Sequence, residues 1–264
     1  MKLTVLTENT TCRTDLKAVH GLSLLLETEN ILLDTGPGDE FAENAKCMGV
    51  DLDKVELCVI SHGHDDHGGG IGRFLRENNH APVYLAEGAF GRYFAGEKDI
   101  GLDTALEGHP RIHTTKPVEV LSEQVTLFSQ VPGNVLLPKA NAGLLAGGQP
   151  DTFFHEQNML VWEGDKLYLF GGCAHRGIVN ILERAKEIAG RYPDTVVSGL
   201  HLAAGGTGKC MADDDYLDKL SAKLLETGAK FYSCHCTGPV ALQALKSRMG
   251  ERLEAISTGM TLEL

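Results

Sequence analysis

Apolar residues in this chain come in short runs of strand length that alternate with longer stretches of helical character. The opening third reads Leu3–Glu8 (LTVLTE), Gly21–Thr28 (GLSLLLET) and Ile31–Gly36 (ILLDTG) as strands, the last two joined in a hairpin at Glu29 and Asn30. Gly38–Val50 follows as a helix, Leu57–Ser61 (LCVIS) as a buried strand, and Gly69–Asn79 as a helix. Pro82–Gly88 and Val125–Val131 are further strands, separated by Ala89–Pro117, a segment with little periodicity. In the second half, Asn158–Gly164 and Lys166–Gly172 form a hairpin around Gly164 and Asp165. Helix Ile178–Gly190 then leads to strand Thr195–Leu202, helix Asp213–Gly228 to strand Ala229–His235, and helix Gly238–Gly250 to Leu253–Thr258 and Met260–Leu264. This alternation predicts the α/β class. Val131–Asp151, rich in Gly, Pro and Asn, predicts a long loop of the kind that often serves as a lid or binding loop.

Placing the polar residues on these elements changes the picture. SHGHDDH follows the strand LCVIS, GGCAH follows LYLF, GLHL ends TVVS, and CHCTG follows FYS. Four polar clusters therefore sit at carboxyl ends of strands, where α/β sheets build their sites. His62, His64, Asp66 and His67 put three imidazoles and a carboxylate on what reads as a tight turn between a strand and a helix. Imidazole nitrogen and carboxylate oxygen suit zinc, iron or manganese, and an open mononuclear site uses three protein ligands. Four close ligands therefore point to two metals. Gly68, Gly69 and Gly70 are expected to let the backbone bend sharply there, and the following helix to present free N–H groups near the site. His80, His109 and His113 lack any such context and read as surface residues.

Composition narrows the partners. Of 264 residues, 42% are hydrophobic, enough for a large core in a single domain spanning 1–264. Lys and Arg number 24 against 36 Asp and Glu, a net charge of −12, which argues against nucleic acid or an anionic membrane as a partner. No leader or membrane-length apolar segment is visible, so a cytoplasmic protein with a small-molecule substrate is expected. Seven scattered cysteines (12, 47, 58, 173, 210, 234 and 236) do not read as a disulfide framework. The glycines around Gly205–Cys210 do not meet the phosphate-loop pattern, since Cys210 stands where a hydroxyl is needed. Cys234, His235 and Cys236 lack a second Cys/His pair at zinc-finger spacing.

HGHDDH resembles the His-x-His-x-Asp-His signature of the metallo-β-lactamase superfamily, and ILLDTG resembles the strand and turn that precede it. His20-GLSLLLE, LLDTG, SHGHDDHGGG, EQNMLV, GGCAHRGIVNI, GLHL and HCTG occur in the order of a subgroup of that superfamily, the dihydropterin-type ribofuranosylaminobenzene 5'-phosphate synthases. The resemblance implies a four-layered αββα sandwich and a metal-dependent hydrolase with two divalent ions, zinc foremost, with iron and manganese as alternatives. It implies that His62 and His64 bind the first metal, and Asp66, His67 and His235 the second. His175 is taken as the first metal's third ligand and Cys173 as a lesser candidate for the bridging place. His155 is an alternative early imidazole, with a structural role favoured for it. Asp66 is expected to orient a metal-bound hydroxide, His201 to contact substrate or transfer a proton, and Asp34 to accept the free N–H of a ligating histidine. The substrate implied is a small metabolite, a pterin or phosphate compound. A non-hydrolytic redox or sensor protein on the same fold is the alternative. Asp65 receives no role.

Overall fold

The computed structural model describes residues 1–205 and 207–264; Gly206, within the glycine-rich stretch Gly205–Cys210, lies outside the described residues. The chain divides into two compact units, one of Met1–Lys116, Leu145–Gln149 and Ile256–Leu264, the other of Pro117–Leu144 and Pro150–Ala255. Among the described residues no helix is long and apolar enough to cross a membrane.

The first unit holds a seven-stranded sheet, in the order Thr261–Glu263, Lys2–Thr7, Ser23–Leu26, Ile31–Leu33, Leu57–Val59, Val83–Ala86, Ile112–Thr115. The first strands pair antiparallel, with Leu24 opposite Leu33 across the hairpin expected at Glu29 and Asn30. From Ile31 onward the pairing is parallel, with Leu33 beside Val59 and Cys58 beside Val83. Strands of this kind read as continuous apolar runs because both faces are covered. Helices Glu40–Met48 and Ile71–Glu77 supply part of that cover, burying Phe41, Ala45, Ile71 and Phe74 in a core with Leu32, Ile60 and Val83.

The second unit repeats the plan, in the order Leu253–Ala255, Lys230–Ser233, Thr195–Val197, Lys166–Phe170, Gln157–Glu163, Val125–Ser129, Val118–Val120. The strands Lys166–Phe170, Thr195–Val197 and Lys230–Ser233 run parallel, Phe170 beside Val197 and Val197 beside Tyr232, so their carboxyl ends lie along one edge. Helices Ile178–Ala189, Asp214–Glu226 and Pro239–Met249 bury Ile181, Leu182, Leu220, Leu224 and Leu245 in a core with Leu169, Val196 and Phe231.

Three stretches differ from the sequence expectation. Asp65–Gly68 is a short helix rather than a turn, and it carries Asp66 and His67. Ala89–Pro117 holds the hairpin Tyr93–Ala95 with Lys98–Asp99 and the edge strand Ile112–Thr115, whose half-exposed IHTT has no apolar alternation. Val131–Asp151 is partly ordered: Lys139–Asn141 is a 3₁₀ turn, and the Gly147 N–H donates to the Arg92 carbonyl at 2.8 Å.

Candidate metal centre

In the first unit the parallel strands end at Leu33 and Val59, and the residues that follow turn inward. Asp34 adopts the left-handed region (φ 60) and is fully buried. Its carboxylate accepts three hydrogen bonds: Ser61 N–H to Oδ1 at 2.7 Å, Ser61 Oγ–H to Oδ2 at 2.8 Å and His67 Nδ1–H to Oδ2 at 2.6 Å. Ser61 Oγ, having given its proton to Asp34, is left to accept from His62 Nδ1 at 2.9 Å. Both imidazoles are thereby held in the Nδ1–H tautomer, which leaves Nε2 unprotonated. A metal needs that atom unprotonated.

The rings are close. The His62 centroid lies 4.5 Å from that of His64 and 4.2 Å from that of His67. One donor atom from each of His62, His64 and Asp66 falls within 4.8 Å of the others. A tetrahedral ion with metal–nitrogen bonds of about 2.0–2.1 Å spans such a gap with small side-chain adjustments. His62 and His67 are fully buried and His64 nearly so. Asp66 also has a partner that the sequence reading left without a role: His20 Nε2 stands 3.3 Å from its Oδ2, on a half-exposed side chain. Asp65, likewise without a role, turns away to Lys98 Nζ at 3.5 Å, and its carboxyl is raised above the ordinary range by burial and by the charge of Asp66.

The glycines after the cluster serve a different purpose from the one expected. Gly69 and Gly70 have ordinary negative φ (−61 and −85). What requires glycine is proximity. A Cβ on Gly69 would lie 2.3 Å from the Pro37 carbonyl oxygen, and one on Gly70 would lie 2.4 Å from that of Thr35. The first N–H groups of the expected helix are also engaged: Gly69 N–H donates to the Asp65 carbonyl and Gly70 N–H to that of Gly36.

In the second unit the three parallel strands release Cys173 and His175, His201, and His235 from their carboxyl ends. Cys173 and His175 stand two positions apart, a spacing that on an extended strand would face both side chains alike. The strand ends at Phe170, however, and Ala174 takes a left-handed φ of 57, so the two residues lie on a turn. His201 (φ 47) and His235 (φ 50) are left-handed too. Such backbone costs a non-glycine residue about 1–3 kcal/mol and collects at functional sites.

His175 is fixed on several sides. Its ring stacks on Phe153 at 4.3 Å with an interplanar angle of 1°, and its Nδ1 pairs with Asn141 Oδ1 at 3.0 Å. Its backbone N–H donates to Glu156 Oε1 at 2.6 Å, while Arg176 N–H donates to Oε2 at 2.9 Å. Burial raises the Glu156 carboxyl to about 7, against the pull of those two amide hydrogen bonds. The His201 ring centroid is 4.1 Å from that of His175. Neither ring nitrogen of His201 has a hydrogen-bond partner among the described residues, although the residue is only 8% exposed. A buried polar atom left so costs about 1–3 kcal/mol. Burial pushes the Cys236 thiol up, but its neighbours Cys173 and His201 and the imidazole of His235 outweigh that, leaving it well below the ordinary thiol range.

Other histidines lie apart from these clusters. His155 is buried and pairs with Asp151 Oδ2 at 3.0 Å. His80 lies near Asp53 and Glu56, and His113 is exposed beside Tyr84. Sequence reasoning gave no role to Ser61, Asn141, Phe153 or Glu156; of these, Ser61 adjoins His62 and Glu156 opens the landmark EQNMLV, while Asn141 and Phe153 carried no local signal.

Residues 17–130 match the metallo-beta-lactamase superfamily pattern. The chain is 24% identical over 273 residues to the 7,8-dihydropterin-6-methyl-4-(beta-D-ribofuranosyl)-aminobenzene-5'-phosphate synthase of Methanocaldococcus jannaschii, spanning 92% of this chain and 90% of that protein. It resembles the solved structure of Tm1679, a metal-dependent hydrolase of the beta-lactamase superfamily, with 28% identity, a TM-score of 0.84 and coverage of 100% and 99% of the two chains. Zinc-bound PqqB from Methylobacterium extorquens shares the fold at 14% identity and a TM-score of 0.61, with each chain covered completely. The αββα class expected from the sequence is the class of these structures. Over residues 17–130 the chain is thus similar to the metallo-β-lactamase superfamily, and over its whole length it shares the fold of these solved structures.

Proposed function

We propose that the chain is a metal-dependent hydrolase of a small metabolite, in which His62, His64, Asp66 and His67 hold divalent metal. The observation that carries this reading is the donor group of buried His62 and His64 with half-buried Asp66, together with the Asp34–Ser61 network that sets His62 and His67 in the tautomer a metal requires. The family resemblance adds His175 and His235 to the ligand set. Zinc is the leading candidate, two ions the expected number, and Asn141 and Phe153 would steady the His175 ring. When bound, a divalent metal polarises a substrate oxygen and acidifies water. Asp66, beside His20, is the carboxylate positioned to orient a water and accept its proton. The relative that makes a dihydropterin ribofuranosylaminobenzene phosphate directs the first substrate trials to pterins and ribosyl phosphates.

The test is a screen of phosphoesters, lactones and thioesters against purified protein that has been stripped by chelator and reloaded with zinc, manganese or iron. Turnover that disappears on stripping, returns on reloading and falls about 10²–10⁴-fold in Asp66→Asn supports the reading. Turnover indifferent to chelation contradicts it.

A further inference from the structure

We propose that Cys173, His201 and Cys236 form a thiolate-rich metal site of the second unit, which takes a soft or borderline cation, zinc foremost. Donor atoms of the three residues lie within 4.8 Å of one another, and all three are buried, at 3%, 8% and 6% exposure. All three residues belong to the second unit, and the site goes beyond the hydrolase reading, in which His201 and Cys236 hold no metal.

Four observations converge on it. His201 reaches the group from a left-handed backbone position (φ 47), and neither of its buried ring nitrogens has a hydrogen-bond partner among the described residues. A ring ordered at that cost with an unused lone pair has the character of a ligand. The His201 backbone N–H donates to Cys236 Sγ at 3.3 Å, the kind of contact that steadies a metal-bound sulfur. Gly199 keeps the space for that sulfur open, since a Cβ there would stand 2.5 Å from Cys236 Sγ. Cys236 and Cys173 are also tied through the Cys236 Sγ–H to Cys173 carbonyl contact at 3.6 Å.

Two sulfurs and an imidazole suit zinc or another soft ion better than the hard cations that prefer oxygen. Three protein donors leave a fourth position on a tetrahedral ion for water or a small ligand. Binding forms two metal–sulfur bonds and one metal–nitrogen bond, and whatever protons the two sulfurs still carry pass to solvent. His201, read from the sequence as a proton-transfer group, is on this account a ligand.

The test is X-ray absorption at the zinc edge on the full chain, saturated with zinc under reducing conditions. Sulfur scatterers at about 2.3 Å beside nitrogen and oxygen at about 2.0–2.1 Å are expected. Nitrogen and oxygen alone at full loading would overturn the site and leave the hydrolase reading intact. Cys236→Ser, checked for native circular dichroism, is expected to lose about half the sulfur signal. An unchanged signal in a folded variant also overturns the proposal. If that variant does not fold, the parent spectrum decides, and cobalt-loaded parent protein gives a second reading: a near-ultraviolet sulfur-to-cobalt band is expected, and its absence from a cobalt-saturated chain contradicts the site.

Discussion

At the scale of single residues, Asp34 organises the first unit's donors: one carboxylate orients His67 directly and His62 through Ser61. Asp34→Asn retains a side chain tolerant of the left-handed region but offers an amide where His67 needs an acceptor. Metal affinity in chelator competition is expected to weaken about 10–100-fold, with little change in fold. Unchanged affinity would remove Asp34 from the account. Glu156 gives a pH prediction. Its carboxyl sits at about 7 in the fold against an ordinary 4.5, so the folded chain holds the proton more tightly. That contribution to stability is fully present below about 4.5 and is lost as pH rises through about 7. For metal-stripped protein, urea unfolding at about pH 5 and about pH 8 should differ by roughly 3 kcal/mol at most from this group. Glu156→Gln should flatten the difference; the same pH slope in parent and variant would refute it.

At the scale of elements, the sequence was most informative where apolar runs end in polar clusters. LCVIS is a buried strand followed at once by His62, and LYLF one followed within five residues by Cys173 and His175, and both run and cluster are local features. The short helix Asp65–Gly68 escaped notice because its four residues, DDHG, have no apolar periodicity and are held by long-range hydrogen bonds such as Asp65 N–H to the Ile100 carbonyl. The roles of Glu156 and Asn141 were invisible for a related reason: each meets His175 across 19 or more positions of chain. The glycines were recognised, but their cause was not, because crowding by Pro37 and Thr35 is a property of the folded chain. Gly69→Ala should therefore destabilise by about 1–3 kcal/mol through overpacking. Gly72→Ala, in the helix Ile71–Glu77 with only Arg76 Nη1 nearby at 3.8 Å, should be neutral or stabilise by about 0.5–1 kcal/mol. Thermal melts that ranked the two variants the other way would contradict this reading.

At the scale of the whole molecule, each compact unit is a seven-stranded sheet whose parallel strands deliver ligand-type residues from their carboxyl ends. The sequence showed this arrangement as four polar clusters after four strands. The pairing order of the sheets was not legible, since registers such as Val83 beside Ile112 join residues far apart in the chain. A ligand that binds only the folded chain stabilises it by mass action, so saturating metal at 100 times its dissociation constant should add about 2.7 kcal/mol. The central claim is that the HGHDDH segment holds metal. Its most direct test is elemental analysis of metal per chain in protein reloaded with zinc and desalted, for the parent and for the double variant His62→Ala, His64→Ala. A parent that retains metal and a folded double variant whose metal per chain falls by about one ion or more is the predicted result. Equal metal per chain in the two proteins, or a parent that retains none, would contradict the account.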